Sequence, residues 1–268
     1  MTLAQVAAQL YTVREHCQTA AAFAASAKKI RAIGYTAVQL SGVGPIPEPE
    51  IVAILAGEGL TLCSTHEPAP AVLDEPERCI ARLQRLGCRL TAFPFPHGVD
   101  FTQPGQLRAL IRGLDAAGEK FRAAGIALGY HNHALEFVPF EGAPFLAALY
   151  AQIRPAHLVA ELDTYWVHYG GGDLVGWIER LSGRLPSLHL KDYAYLPDNR
   201  PTWCEIGRGT FDWPRIIAAA DRAGCTWFIV EQDTCPGDPF DSLKLSFEHI
   251  KANLVAGGAA PDATIASP

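Results

Sequence analysis

Four short segments of this chain end apolar runs in side chains that can hold a metal or move a proton. They are Gly129-Tyr130-His131-Asn132-His133 with Glu136 just beyond, Glu161-Leu162-Asp163, His189-Leu190-Lys191-Asp192, and Glu231-Gln232-Asp233. Glutamate, aspartate, histidine and glutamate brought to one point make a divalent-metal site. Oxygen ligands with a single imidazole suit Mn²⁺, Mg²⁺ or Co²⁺, and demand Zn²⁺ less. Such an ion can polarise a carbonyl and stabilise the enediolate left when the neighbouring carbon loses its proton. A carboxylate is the natural base for that proton.

Residues some thirty positions apart meet only if the fold gathers them. The apolar runs before the four segments read as buried β-strands, and similar runs recur along the whole chain. They fall at about 3–10, 35–40, 60–65, 88–93, 126–131, 157–162, 185–190 and 226–231. Stretches of helical periodicity separate them: 20–33, 77–86, 107–124, 145–153, 173–181, 213–223 and 240–254. Several end at a glycine just before the next strand, at Gly34, Gly87, Gly125 and Gly224, where a left-handed residue stops a helix. Eight such units predict a (β/α)₈ barrel, whose strand C-termini share one face. An open doubly wound sheet is the alternative, but its GxGxxG phosphate loop is missing after the first strand. Within each strand, alternation puts Glu161 with Asp163, His189 with Lys191, Glu231 with Asp233, and His131 with His133. Buried carboxylates inside a barrel are costly unless paired or bound to a metal.

The length of 268 residues suits one barrel. The expected organisation is a single domain over 1–255 and a disordered tail over 256–268, which is small, polar and Pro-containing. A net charge of −6 with no Lys/Arg run argues against a nucleic-acid surface. Seven cysteines without CxxC spacing fit buried thiols in a reducing, cytoplasmic compartment. No signal peptide and no membrane-spanning stretch is visible.

The chain resembles the xylose isomerase-like TIM barrels, in particular the sugar phosphate isomerase/epimerase group that includes ketose 3-epimerases and inosose dehydratase. The carriers are Gln9-Leu10-Tyr11-Thr12-Val13-Arg14, Thr65-His66-Glu67, Tyr130-His131-Asn132-His133 with Glu136-Phe137, Glu161-Leu162-Asp163-Thr164, His189-Leu190-Lys191-Asp192, Glu205-Ile206-Gly207-Arg208-Gly209 and the Glu231 strand end. The resemblance implies one divalent ion, Mn²⁺ first, with Mg²⁺, Co²⁺ or Zn²⁺ as alternatives. Its ligands would include Asp163, His189 and Glu231. The epimerases' first ligand is a glutamate three residues before the strand-five asparagine, which here is Gly129. Glu136 is the expected substitute, with His131 or His133 as alternatives.

Glu231 and Glu136 would be the acid/base pair, one on each face of the substrate. Candidate substrate contacts are His66, His131, His133, Trp166, His168, Lys191 and Arg208. For Lys191 a rim salt bridge is the plainer role, and for Arg208 a simple loop turn. Gly170-Gly171-Gly172 reads as a flexible loop. The expected function is a metal-dependent isomerase or epimerase of a sugar, keto-sugar or polyol. The alternatives are an inosose-dehydratase-like lyase on the same site, a non-catalytic sugar-binding barrel, and an endonuclease IV-like enzyme. The last would need more histidines and a basic groove. A homodimer or homotetramer is expected by family habit alone.

Overall fold

The computed structural model describes residues 1–255; the tail expected to be disordered, 256–268, lies outside them. Eight parallel strands close into a barrel: β1 Val6–Gln9, β2 Ala37–Leu40, β3 Thr61–His66, β4 Leu90–Phe93, β5 Ala127–His131, β6 Val159–Asp163, β7 Ser187–Leu190 and β8 Trp227–Val230. Each pairs with its neighbours in sequence, and β8 returns to β1 with Val6 opposite Phe228. The main helices are α1 Ala20–Ile33, α2 Glu48–Gly57, α3 Pro76–Leu86, α4 Pro104–Ala123, α5 Phe145–Gln152, α6 Leu174–Arg180, α7 Trp213–Arg222 and α8 Pro239–Asn253.

The local chemistry explains these boundaries. The Thr19 hydroxyl accepts from Ala22 N–H to start α1, and Gly34 ends it at φ 127°, as side-chain capping and a glycine stop require. Asp212 and Asp238 cap α7 and α8 in the same way. The sequence periodicity places no helix between the strands at 35–40 and 60–65, yet α2 lies there. Pro49 sits in the first turn, where no backbone N–H is needed, so proline is tolerated there.

Alternation sorts the strand residues into two cores. Leu128, Tyr130, Ala160, Leu162, Leu188 and Leu190 join the large apolar layer between strands and helices. Facing the axis instead, Ala7, Ala37, Cys63 and Ile229 form a small apolar plug. Above the plug the interior turns polar. Gln9 stands opposite Gln39, and Gln39 opposite Ser64. His131 stands opposite Glu161, Glu161 opposite Ser187, and Asp163 opposite His189. The register therefore carries the chemistry of β5, β6 and β7 onto adjoining rows at the barrel mouth. No helix among the described residues is long and apolar enough to cross a membrane.

Candidate active site

Among the described residues, two groups of side chains bring four ligand atoms within 4.8 Å of one another: His131, Asp163, His189 and Glu231, and, sharing two of these, His66, His131, Glu161 and His189. All but His66 are buried. Asp163 uses its two oxygens differently. Oδ1 accepts from Trp166 N–H at 3.0 Å and caps the short helix Thr164–Tyr169. Oδ2 lies 3.0 Å from Lys191 Nζ and 3.9 Å from His131 Nε2, but no donor is aligned on it as a hydrogen bond. Asn132 fixes the backbone here by accepting from Asp163 N–H at 3.0 Å.

Lys191 is buried among three acids, at 3.0 Å from Asp163, 3.0 Å from Glu231 and 2.9 Å from Asp233. Its role is thus interior charge balance, not a rim salt bridge. Burial alone would depress its pKa; the three carboxylates outweigh that and hold it well above the ordinary lysine value. His189 links Glu231 Oε2 at 2.8 Å through Nδ1 and Gln39 Oε1 at 2.7 Å through Nε2. Against burial, Glu161 and Glu231 push its pKa up to about 10. Burial would raise the Glu231 carboxyl, but Lys191 and His189 hold it well below the usual carboxylate range. Asp163 goes the other way: burial exceeds the pull of Lys191 and lifts it to about 6.

This donor set suits a divalent cation. Asp163 Oδ2 meets the Lys191 ammonium without an aligned hydrogen bond, and His131 Nδ1 lies unbonded 3.4 Å from Glu161 Oε1; buried polar atoms left in this way cost free energy unless something binds there. Four acids, Glu161, Asp163, Glu231 and Asp233, face one lysine and a few imidazoles, so charge also favours a cation.

Glu136 is not part of either group. It is fully buried and turned away: Tyr130 Oη donates to its Oε1 at 2.8 Å, and His133 N–H donates to its Oε2 at 2.6 Å. It closes the turn after β5 and stands apart from the residues it is expected to join as ligand and acid/base. The fourth corner of the quartet is His131, the alternative ligand. Glu161 escaped notice as a site residue although alternation places it on the face of Asp163. It accepts from His66 Nε2 at 2.6 Å, Gln39 Nε2 at 2.7 Å and Ser187 Oγ at 3.0 Å. Gln39 carries no signal of its own, because a lone glutamine in an apolar run makes no motif, and Gln9 stands out only as the start of a family segment.

The quartet opens into a cavity of about 360 Å³ whose walls include Tyr11, His66, His131, His133, Phe95 and Asp233. Trp166 stands behind it, 5.2 Å from the His133 ring. His168 does not line this cavity and stacks on Tyr193 at 4.3 Å. Arg208 is also outside it, with 59 % of its side chain exposed. Its loop is pinned by Asp192, which accepts from Gly207 N–H, Gly209 N–H and Trp213 Nε1. A side chain at position 209 would collide with Asp192, 2.1 Å from its Oδ1, so the Gly-Arg-Gly turn is architectural. The triple glycine also packs closely: Phe137 lies where a Cβ on Gly170 or Gly172 would go. A larger hollow of about 610 Å³ adjoins the mouth, sharing His66 and Ser41. Its arginines are paired, Arg82 with Glu67 and Glu48, and Arg78 with Glu75.

Comparison with known proteins agrees with this architecture. No curated protein matches the chain. Among solved structures, a sugar phosphate isomerase/epimerase from Parabacteroides distasonis superposes with a TM-score of 0.78 at 20% identity, covering 93% of this chain and 94% of that one. An L-ribulose 3-epimerase gives 0.71 at 15% identity over 92% and 93%. The probable 3-DHS dehydratase of petrobactin synthesis from Bacillus anthracis gives 0.72 at 12% identity over 92% and 98%. At these identities the likeness is one of fold. Residues 27–253 match the family model of the xylose isomerase-like TIM barrel, and the chain belongs to that family.

Proposed function

We propose that this protein is a divalent-metal-dependent isomerase or epimerase of a small sugar, keto-sugar or polyol, acting at the carbon beside a carbonyl. The observation that carries this reading is the buried quartet His131, Asp163, His189 and Glu231 at the barrel mouth, where barrel enzymes keep their active sites. These four residues would hold the ion, which when bound polarises the substrate carbonyl and stabilises the charge that develops on proton loss. With two nitrogen and two oxygen donors, Mn²⁺, Co²⁺ and Zn²⁺ are better served than Mg²⁺, which prefers oxygen.

The chain's own groups do the rest. Glu231 is kept ionised by Lys191 and His189, the state a base needs to take the proton next to the carbonyl. Lys191 holds its ammonium against Asp163, Glu231 and Asp233 and limits the repulsion among them. His66 and His133, both at the cavity wall, are placed to bond substrate hydroxyls. Trp166 backs the His133 ring at 5.2 Å and steadies it at the wall.

One observation favours a lyase as the second reading. Gly129 occupies the position of the epimerases' strand-five glutamate, and Glu136 is committed to Tyr130 and His133 N–H. That leaves Glu231 as the one member of the expected glutamate pair at the quartet. A single base removes a proton just as well when a β-hydroxyl then leaves as water.

The test is to load the purified protein with Mn²⁺, Co²⁺ or Zn²⁺. Deuterium wash-in from D₂O is then followed in free ketoses and inososes by NMR, together with loss of water by mass spectrometry. Exchange without water loss supports the isomerase, and water loss supports the lyase. Metal-independent binding with neither would sink both and leave a sugar-binding barrel.

A further inference from the structure

The two overlapping groups cannot both be served by His189, because a neutral imidazole has one nitrogen lone pair to give. We infer that Gln39 is a positioning residue that selects the group formed with Asp163 and Glu231, by fixing which nitrogen of His189 meets the ion. The inference rests on the metal-dependent reading above.

The argument begins at Glu161. A carboxylate only accepts hydrogen bonds, so the Gln39 group 2.7 Å from Glu161 Oε2 must be the amide nitrogen. That nitrogen also donates to Ser64 Oγ at 3.1 Å. The orientation of the Gln39 amide is thereby set, and its oxygen faces the other way. Gln9 Nε2 donates to that oxygen at 2.6 Å, and His189 Nε2 lies 2.7 Å from it. An amide oxygen cannot donate, so His189 Nε2 must carry a proton. Nδ1 is then the nitrogen left for the ion, and it points at Glu231. A hydrogen bond to the second imidazole nitrogen is the usual way a protein sets a metal-binding histidine's tautomer.

The same bonds close the deeper group. Glu161 Oε2 is occupied by Gln39 and Ser187, and Oε1 by His66. In the upper group Asp163 Oδ2 accepts no hydrogen bond and meets the Lys191 ammonium, 3.0 Å away. Every member of the chain Gln9, Gln39, Glu161 and His189 is buried, so water cannot substitute for a missing link.

The test compares the wild type with Gln39→Met, which keeps length and removes both hydrogen-bonding atoms, and with Glu161→Gln, whose amide oxygen can still accept from Gln39. Three readouts are used: Zn²⁺ affinity by chelator competition, the ion's position by anomalous scattering, and the protonated nitrogen of His189 by ¹⁵N NMR of the Zn²⁺-loaded protein. The wild type is expected to hold one ion through His189 Nδ1 beside Asp163 and Glu231. Gln39→Met should bind about 10–100-fold more weakly, with the ion drawn toward Glu161 and His66. Glu161→Gln should keep the Nδ1 linkage.

The inference is overturned if Gln39→Met keeps wild-type affinity and ion position, or if the wild-type ion sits on His189 Nε2. The wild-type readouts decide the question even if Gln39→Met fails to fold. An ion held through Nε2 in a protein that still exchanges substrate protons defeats only the Gln39 inference. Failure of the wild type to take any ion defeats the metal-dependent reading as well.

Discussion

Asp163 divides its carboxylate between architecture and chemistry, one oxygen capping a helix and the other facing His131 and Lys191. Replacing it with alanine should empty the metal site and loosen the first turn of the Thr164–Tyr169 helix. His189→Ala should empty the site without touching that helix. Elemental analysis and circular dichroism together would show both effects. Glu136→Gln should behave oppositely. A glutamine has one acceptor where Tyr130 and His133 N–H need two. Metal content is therefore expected to stay unchanged while stability falls by about 1–3 kcal/mol, measured by urea unfolding. Metal loss in that variant would return Glu136 to the ligand set.

The buried His131 and the half-buried His133 make a pH prediction for the metal-free protein. Burial, reinforced by neighbouring imidazoles, lowers His131 to about 3 and His133 to about 2. Both are neutral in the fold and bind protons more readily once unfolded. Their contribution is fully present above the ordinary value of 6.5 and is lost as pH falls below it. The melting temperature should drop over that acid range, and His133→Gln should flatten the drop.

At the scale of elements, the hydrogen bonds converging on Asp192 decide whether the strand-seven loop keeps its shape. Asp192→Ala would leave the N–H groups of Gly207 and Gly209 and the Trp213 indole without their acceptor. A loss of about 2–4 kcal/mol is expected, with a shifted Trp213 emission. The strands and most helices were legible in the sequence because their signals are local: apolar runs, glycine stops and capping aspartates. The quartet's Asp163, His189 and Glu231 were legible because each ends a strand. Glu136 reads as a site residue because nothing local reports that its carboxylate folds back onto His133 N–H. Gln39 and Glu161 were passed over because their meaning lies in the register between strands, which no single segment encodes.

At the scale of the whole molecule, the barrel mouth gathers an excess of carboxylates that a bound cation would relieve. Lys191→Met removes the internal counter-ion from Asp163, Glu231 and Asp233. The metal-free variant should melt lower than the wild type, because two buried carboxylates and the half-buried Asp233 then face one another. It should also gain more on addition of Zn²⁺ or Mn²⁺, since ligand binding to the native state raises stability in proportion to ln(1 + [L]/Kd). A thermal-shift titration of both proteins measures this. An equal metal-induced shift in the two would mean that Lys191 does not compete with the ion.

Trp166 rests against His133, one side chain behind the pocket, and its indole N–H has no hydrogen-bond partner. Indole emission follows the polarity and the contacts of the ring. The rim therefore carries its own optical probe: a molecule that displaces or polarises His133 changes the fluorescence of one of the chain's five tryptophans. Binding can be screened on the unlabelled protein before any product is known, with Trp166→Phe as the silent control.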